Sequence, residues 1–174
     1  STPVFISASD PEKGLYFSSI QPEFLFHGEG EDLPYCVLSE CTWGITDQTD
    51  PVFLTTLLAK TRQTHWIFSG QIPPETTLDK WEGIVLNRDE MTAYAGSVPM
   101  AQAAKALLKK GVSWIIITLD KDGALLITLD GIRPYPAEKD GDYPLGCGDA
   151  FLSGLLLGLP QEKPIEHCLH PALA

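Results

Sequence analysis

Short apolar runs alternate with helix-like segments through most of the chain. Runs rich in β-branched residues predict strands at residues 65–69, 83–86 and 113–118, and the last of these has the fully apolar composition of a central strand in a covered parallel sheet. Helices are predicted from Asp50-Pro51 to about Thr61, over 88–95 and over 99–110. Because strands and helices alternate, the pattern predicts an α/β sandwich with helices on both faces of a mostly parallel sheet.

The two ends of the chain carry other patterns. Two short strands, 4–7 and 15–18, flank a turn at 10–14 and predict a β-hairpin, and the acidic stretch 27–32 is typical of a loop. The apolar run 35–39 predicts a further buried strand. Towards the carboxyl end, 124–128 and 132–135 predict an antiparallel pair, and an apolar helix is expected over 150–159.

Composition and charge narrow the classes of function. The 174 residues carry 12 Lys and Arg against 23 Asp and Glu, a formal net charge of −11, and a chain this acidic is not expected to bind nucleic acid. No apolar run is long enough for a transmembrane helix, and the four cysteines form no CxxC pair, so we expect a reduced, cytoplasmic protein that does not span a membrane. The length suits one α/β domain over 1–174. A small phosphorylated ligand is compatible with the acidic charge, since backbone amides and a metal ion can hold it.

The sequence Gly146-Cys147-Gly148-Asp149, just before the apolar helix, is the strongest candidate for chemistry. Glycines one residue apart allow a tight backbone turn. The helix behind them directs its free N–H groups and the positive end of its dipole at whatever lies in front, an arrangement that binds phosphate oxygens. Asp149, in the first helical turn, could then accept a proton from a hydroxyl held beside that anion. Taken alone, a Gly-rich turn with an acidic residue near a helix start is the simpler interpretation.

Two further polar segments follow predicted strands. Asn87 and Glu90 come after the strand 83–86, and an amide and a carboxylate at the carboxyl edge of a sheet can hold hydrated Mg²⁺ and a phosphate. Thr118 and Gly123 follow the central strand. Each signal is weak alone, because a helix start often carries such polar residues and a simple β-turn explains the second segment.

In this order, Asn-x-x-Glu, Thr-Leu followed by Gly123, and Gly-x-Gly-Asp-Ala-Phe, the three segments resemble the ribokinase-like (PfkB) family of sugar and nucleoside kinases. The resemblance is best over residues 81–159. It implies a three-layer α/β/α sandwich that uses ATP and Mg²⁺ and transfers the γ-phosphoryl group to a hydroxyl. The implied substrate is a small molecule, namely a sugar, a sugar phosphate or a nucleoside.

The resemblance also implies roles for residues in all three segments: Asp149 looks like the catalytic base, Gly146, Cys147 and Gly148 like the anion hole, Asn87 and Glu90 like the magnesium and phosphate group, and Thr118 and Gly123 like part of the nucleotide site. The hairpin within 1–30 is similar to the family's substrate lid, and 31–174 would then be the nucleotide-binding and catalytic core. A homodimer formed lid to lid is common in similar proteins.

The chain also departs from the family pattern. Family members begin with a strand carrying a sugar-binding acidic residue and continue to a Gly-Gly motif; neither is found here, so the N-terminal part of the family fold is expected to be missing. Tyr143-Pro144-Leu145 stand where the family usually has Asp-Thr, and Asp120 stands in place of a glycine of the nucleotide strand.

Two alternatives therefore stay open. One is a catalytically poor nucleotide-binding or interaction module that retains the kinase scaffold. The other is a cysteine hydrolase with Cys147 as its nucleophile, since a thiol at a helix N-terminus can be activated as a thiolate. No feature of the sequence pairs Cys147 with a particular histidine, and a small side chain lining a phosphate loop is the preferred interpretation of this position.

Overall fold

The computed structural model describes residues 5–10, 15–20, 35–138, 146–159 and 163–173. Its strands within these segments are β1 (Phe5–Asp10), β2 (Leu15–Ile20), β3 (Trp43–Thr46), β4 (His65–Ser69), β5 (Gly83–Asn87), β6 (Trp114–Thr118), β7 (Ala124–Thr128) and β8 (Gly131–Tyr135). Its helices are α1 (Tyr35–Leu38), α2 (Pro51–Lys60), α3 (Arg88–Ala95), α4 (Met100–Leu108), α5 (Cys147–Gly158), α6 (Ile165–Cys168) and α7 (His170–Leu173). Short 3₁₀ turns cover Glu75–Lys80 and Asp120–Asp122. None of the helices in these segments is long and apolar enough to cross a membrane.

Six of the strands form one mostly parallel sheet in the order β3-β4-β5-β6-β7-β8. β3 to β6 run parallel to one another, whereas β7 and β8 continue the sheet antiparallel. The carboxyl ends of β3 to β6 therefore lie along one edge of the sheet, which is where ligands bind in open α/β folds. β1 and β2 pair antiparallel in a separate two-stranded sheet, which confirms the predicted hairpin strands.

Helices cover both faces of the large sheet because successive strand residues point to opposite faces. In β6, Ile115 and Ile117 belong to the core under α2, α3 and α4, whereas Trp114 and Ile116 belong to the core under α5 and α6. Ile115, Ile116 and Ile117 are fully buried, as expected for a strand covered on both sides. The structure thus confirms the predicted three-layer α/β/α sandwich.

Most predicted elements are found, and one is wrong. Residues 35–39, predicted as a buried strand, instead form the short helix α1, whose residues are half-buried or exposed. The strand of this region is β3, four half-buried residues at the edge of the sheet, which the sequence pattern did not predict. α5 begins at Cys147 rather than at 150, so Asp149 lies in its first turn. The hairpin turn at 11–14 and the loop at 27–32 lie outside the described residues.

Candidate functional site

The ends of β5 and β6 bring two of the three polar segments together. Asn87 and Thr118, the last residues of these strands, are direct partners in the parallel register. The chain continues from Asn87 into α3 and from Thr118 into the 3₁₀ turn Asp120–Asp122. The Asn87–Glu90 and Thr118–Gly123 segments therefore share one edge of the sheet, and each follows a strand that the sequence predicted.

Asn87 and Glu90 are joined through the start of α3. Asn87 Oδ1 accepts a hydrogen bond from the Glu90 N–H, and Glu90 Oε2 accepts one from the Asn87 N–H, both at 2.8 Å. Together they form a capping box, which satisfies two amides at the helix end. Burial raises the pKa of the half-buried Glu90 carboxyl, and the hydrogen bond from Asn87 opposes that rise. The box uses Asn87 Oδ1 and Glu90 Oε2, and no described residue donates a hydrogen bond to Glu90 Oε1.

The turn after Thr118 has a strained and tightly packed backbone. Asp120 has a φ of 53°, in the left-handed region that a side chain with a Cβ rarely adopts. Gly123 has a φ of 89°, and a Cβ added there would collide with the carbonyl oxygen of Tyr135 on β8. The Leu119 N–H donates to the Gly123 carbonyl at 2.7 Å and closes the turn. Position 123 therefore requires glycine for its packing, whatever ligand the turn binds.

Arg88 links the two segments, and sequence reasoning missed it. Its Nη2 donates to Asp122 Oδ2 at 2.8 Å and, at 3.4 Å, to the carbonyl oxygen of Leu119. The arginine follows Asn87 directly, so one residue at the start of α3 contacts the turn beyond β6. Nothing in the sequence indicates that Arg88 contacts a residue 34 positions away. The contact arises because β5 and β6 are neighbours in the sheet.

The Gly146–Asp149 turn forms the start of the twelve-residue helix α5. Gly146 is the N-cap residue with a φ of 83°, and the first intrahelical bond runs from the Ala150 N–H to the Gly146 carbonyl at 2.9 Å. Amides before that bond have no carbonyl partner inside the helix. All four residues of the turn are exposed, and a Cβ at Gly146 or Gly148 would meet none of the described atoms within 4 Å. None of the described residues therefore packs against these two glycines.

The Asp149 carboxylate is exposed, and within the described residues it forms no hydrogen bond or ion pair. The backbone carbonyl of Asp149 instead accepts a bond from the Ser153 hydroxyl at 2.7 Å. An exposed carboxylate without such partners can accept a proton from a bound ligand. The closeness of this turn to Asn87 and Thr118 stays a prediction.

The residues present fit a nucleotide phosphate and Mg²⁺. The start of α5 suits phosphate oxygens, since its first N–H groups have no carbonyl partner inside the helix and the helix dipole favours an anion there. Glu90 Oε1 supplies an oxygen of the kind Mg²⁺ prefers. One carboxylate is a typical protein share, because Mg²⁺ in such sites takes its other ligands from phosphates and water.

A family model described as pfkB family carbohydrate kinase matches residues 44–174 of the chain. The chain belongs to this family. Among curated PfkB-type relatives, aminoimidazole riboside kinase of Salmonella typhimurium is 36% identical over 85 residues, which are 48% of this chain and 27% of that protein. 1-Phosphofructokinase of Escherichia coli is 33% identical over 94 residues, 51% of this chain and 30% of that protein.

Solved structures agree on the fold. The ribokinase of Thermotoga maritima superposes with a TM-score of 0.79 at 21% identity, over 92% of this chain and 58% of that one. The ribokinase of Arabidopsis thaliana, solved with ribose and ATP, gives a TM-score of 0.73 at 16% identity, over 92% and 57%. This PfkB-family chain thus matches less than a third of the curated relatives' length and somewhat more than half of the solved ribokinases.

Proposed function

We propose that this chain carries the nucleotide-binding and catalytic part of a kinase that transfers the γ-phosphoryl group of ATP to a hydroxyl of a sugar, a sugar phosphate or a nucleoside. The observation that carries the proposal is the start of α5, where the exposed residues Gly146, Gly148 and Asp149 lie within one helical turn and the Asp149 carboxylate forms no hydrogen bond or ion pair with the described residues. The names of the relatives support the same reaction class and the same range of small-molecule substrates. A lid-to-lid homodimer and a cytoplasmic location stay predictions.

Each named residue has one physical task in this reaction. Phosphoryl transfer depends on positioning and on stabilising the charge of the transferring group, with little covalent help. The amides of Gly146, Cys147 and Gly148 would stabilise that charge without an exposed cation. Asp149 would accept the proton of the attacking hydroxyl, and the Asn87 and Glu90 side chains would hold Mg²⁺, which neutralises phosphate charge when bound. Thr118 and Gly123 would border the nucleotide.

The test is a labelling experiment on cysteine thiols. Cys36, Cys41 and Cys147 are all exposed, and Cys147 lies in the turn that would hold the phosphates. We expect ATP with Mg²⁺ to slow the alkylation of Cys147 by N-ethylmaleimide, measured peptide by peptide with mass spectrometry. The rates at Cys36 and Cys41 should not change, so these two thiols report any general effect of ATP.

Gly148→Val is the matched variant for this experiment. A Cβ at 148 would contact none of the described atoms within 4 Å, so we expect the variant to fold while its side chain obstructs a phosphate in front of the turn. We expect ATP to bind the parent saturably in calorimetry and to bind Gly148→Val at least tenfold more weakly. Equal binding by both proteins, or ATP protection of all three exposed thiols alike, would contradict the proposed phosphate site.

The alternative, a catalytically poor nucleotide-binding module, is favoured by Asp120. Its exposed carboxylate lies in the turn that would border the nucleotide, where it would repel phosphate oxygens. Binding of ATP without phosphoryl transfer to any sugar or nucleoside tested would support this module. Transfer to one such substrate would exclude it.

A further inference from the structure

A cavity of about 700 Å³ lies between α2, the 3₁₀ turn Glu75–Lys80 and β4. Its walls include Arg62 and Thr64, which precede β4, and Lys80, which precedes β5. The cavity is therefore at the amino edge of the parallel strands. Asn87 ends β5 at the opposite edge of the sheet, about 13 Å from Gly83 at the start of this strand, at a rise of about 3.3 Å per residue. An occupant of this cavity would leave the Asn87 and Thr118 segments open.

The cavity is lined by positive charge, although the chain as a whole is acidic. Arg62 and Lys80 line it, and no acidic side chain is among its described lining residues, although the chain has 23 acidic and 12 basic residues. Within the described segments Arg62 forms no ion pair. Lys80 Nζ contacts Asp79 Oδ2 at 2.7 Å, but both side chains are more than half exposed, so this pair is weak and can be exchanged for a ligand. The charges point to an anionic occupant.

The threonine hydroxyls of the cavity offer acceptors. Thr55 and Thr64 donate their hydroxyl protons to the backbone carbonyls of Pro51 and Leu38, at 2.7 and 3.0 Å. Each of these oxygens keeps lone pairs that can accept a hydrogen bond from another group. An occupant would therefore need hydroxyl donors of its own besides its negative charge.

One aromatic residue, Trp66, lines the cavity and is held by a chain of hydrogen bonds. Trp66 Nε1 donates to the Thr61 hydroxyl at 2.8 Å, and Thr61 in turn donates to the Leu57 carbonyl at 2.6 Å. Trp66 is itself buried and belongs to the core beneath α2. This part of the wall is thus held in place, and the cavity presents two cations beside hydroxyl acceptors.

We propose that this cavity binds a small anion that carries several hydroxyl groups, with the chemistry of a phosphorylated polyol, at a second site separate from the α5 turn. The anionic group would contact Arg62 and Lys80, and the hydroxyl groups would donate to Thr55 and Thr64. The site is independent of the phosphoryl-transfer reaction proposed above, and either proposal can fail without the other.

Indole N–H resonances provide a direct test. In ¹⁵N-labelled protein, titration with glycerol 3-phosphate should shift the Trp66 indole signal saturably, whereas the Trp114 indole, on the opposite face of the sheet, should not move. Inorganic phosphate should bind more weakly because it lacks the hydroxyl-bearing chain, and glycerol should produce no saturable shift because it lacks the charge.

Arg62→Gln supplies the matched variant. Loss of one charge-assisted contact should weaken glycerol 3-phosphate binding about tenfold. Lys105→Gln, an equal change of charge on the exposed face of α4, should leave it unchanged. Lys80→Gln serves in the same way if Arg62→Gln does not fold. No saturable Trp66 shift, equal shifts of all indole signals, or equal affinity of Arg62→Gln and Lys105→Gln would each overturn the proposal.

Discussion

At the scale of single residues, two glycines with similar backbone angles differ in what surrounds them. Gly123 and Gly96 have φ values of 89° and 57°. A Cβ at 123 would collide with the Tyr135 carbonyl, whereas a Cβ at 96 would meet no atom of the described segments within 4 Å. The first glycine is required by both its backbone conformation and its packing, the second by its conformation alone.

We therefore expect Gly123→Ala to lower the free energy of unfolding by roughly 2–4 kcal/mol, since left-handed strain and steric overlap add. Gly96→Ala should cost about 1–2 kcal/mol, the cost of the strain alone. Urea denaturation of the two variants measures the difference. An equal decrease in the free energy of unfolding of both variants would mean that the backbone of β8 at Tyr135 shifts to accommodate the added methyl group. The packing of the turn would then not require glycine at position 123.

Asp149→Asn tests the proposed base at the same scale. The amide is nearly the same size but cannot accept the hydroxyl proton, so we expect phosphoryl transfer to fall by about 10²–10⁴-fold with ATP binding and stability retained. Asp130→Asn, at the exposed turn between β7 and β8, is the control with an equal change of charge. A coupled assay measures the rate of phosphoryl transfer, and calorimetry measures the affinity for ATP. A variant Asp149→Asn as fast as the parent would remove Asp149 from the mechanism.

At the scale of elements, the start of α3 combines a structural and a proposed ligand-binding role. Asn87→Ala should lower the free energy of unfolding by about 1 kcal/mol because the N-cap acceptor is lost. Asn87→Ser should keep most of that stability, since serine caps helices about as well as asparagine. If the Asn87 side chain also contacts Mg²⁺ or phosphate, both variants should bind ATP with Mg²⁺ more weakly. Thermal melts and calorimetry separate the two roles; unchanged ATP affinity in Asn87→Ser would restrict Asn87 to capping.

The elements that could be predicted are those with local signals. The pair Asp50-Pro51 predicts the start of α2 correctly, because aspartate is a good N-cap and proline suits the first helical position. In the structure Asp50 accepts a hydrogen bond from the Phe53 N–H at 2.7 Å, as an N-cap residue does. Residues 35–39 were assigned wrongly because a short apolar run has no period that separates a strand from a helix. β3 was missed for a related reason: its four half-buried residues at the edge of the sheet show neither alternation nor full burial.

At the scale of the whole molecule, the sequence motifs predict which polar residues lie at strand ends. They do not predict which of these residues contact one another. The sharing of one edge by Asn87 and Thr118 follows from their places at the ends of neighbouring parallel strands; the sequence placed each residue at a strand end without bringing the two together. The Arg88–Asp122 ion pair depends on β5 and β6 being neighbours in the sheet order, which no local pattern encodes. The cavity beside Arg62 depends likewise on how α2 packs over the sheet.

The packing of α5 against α6 gives the last prediction. Cys168 is fully buried between these helices, and a Cβ on Gly158 would lie 2.8 Å from its Cα, so the two backbones are in close contact. Burial raises the pKa of the Cys168 thiol. The stability linked to this thiol is therefore complete below the ordinary thiol pKa and is lost as the pH rises through the raised value.

We expect N-ethylmaleimide to modify Cys36, Cys41 and Cys147 rapidly and Cys168 only when the helices separate or the chain unfolds, because Cys168 has neither access nor thiolate in the folded state. Its labelling rate, followed by mass spectrometry, should rise with urea in parallel with the loss of helical circular dichroism and should be faster above the ordinary thiol pKa. Exposed Cys36 supplies the rate of the unprotected thiol in the same sample. If Cys168 were modified as fast as Cys36 in the absence of urea, α6 would not be packed on α5, and the second helical layer would not be a stable part of the fold.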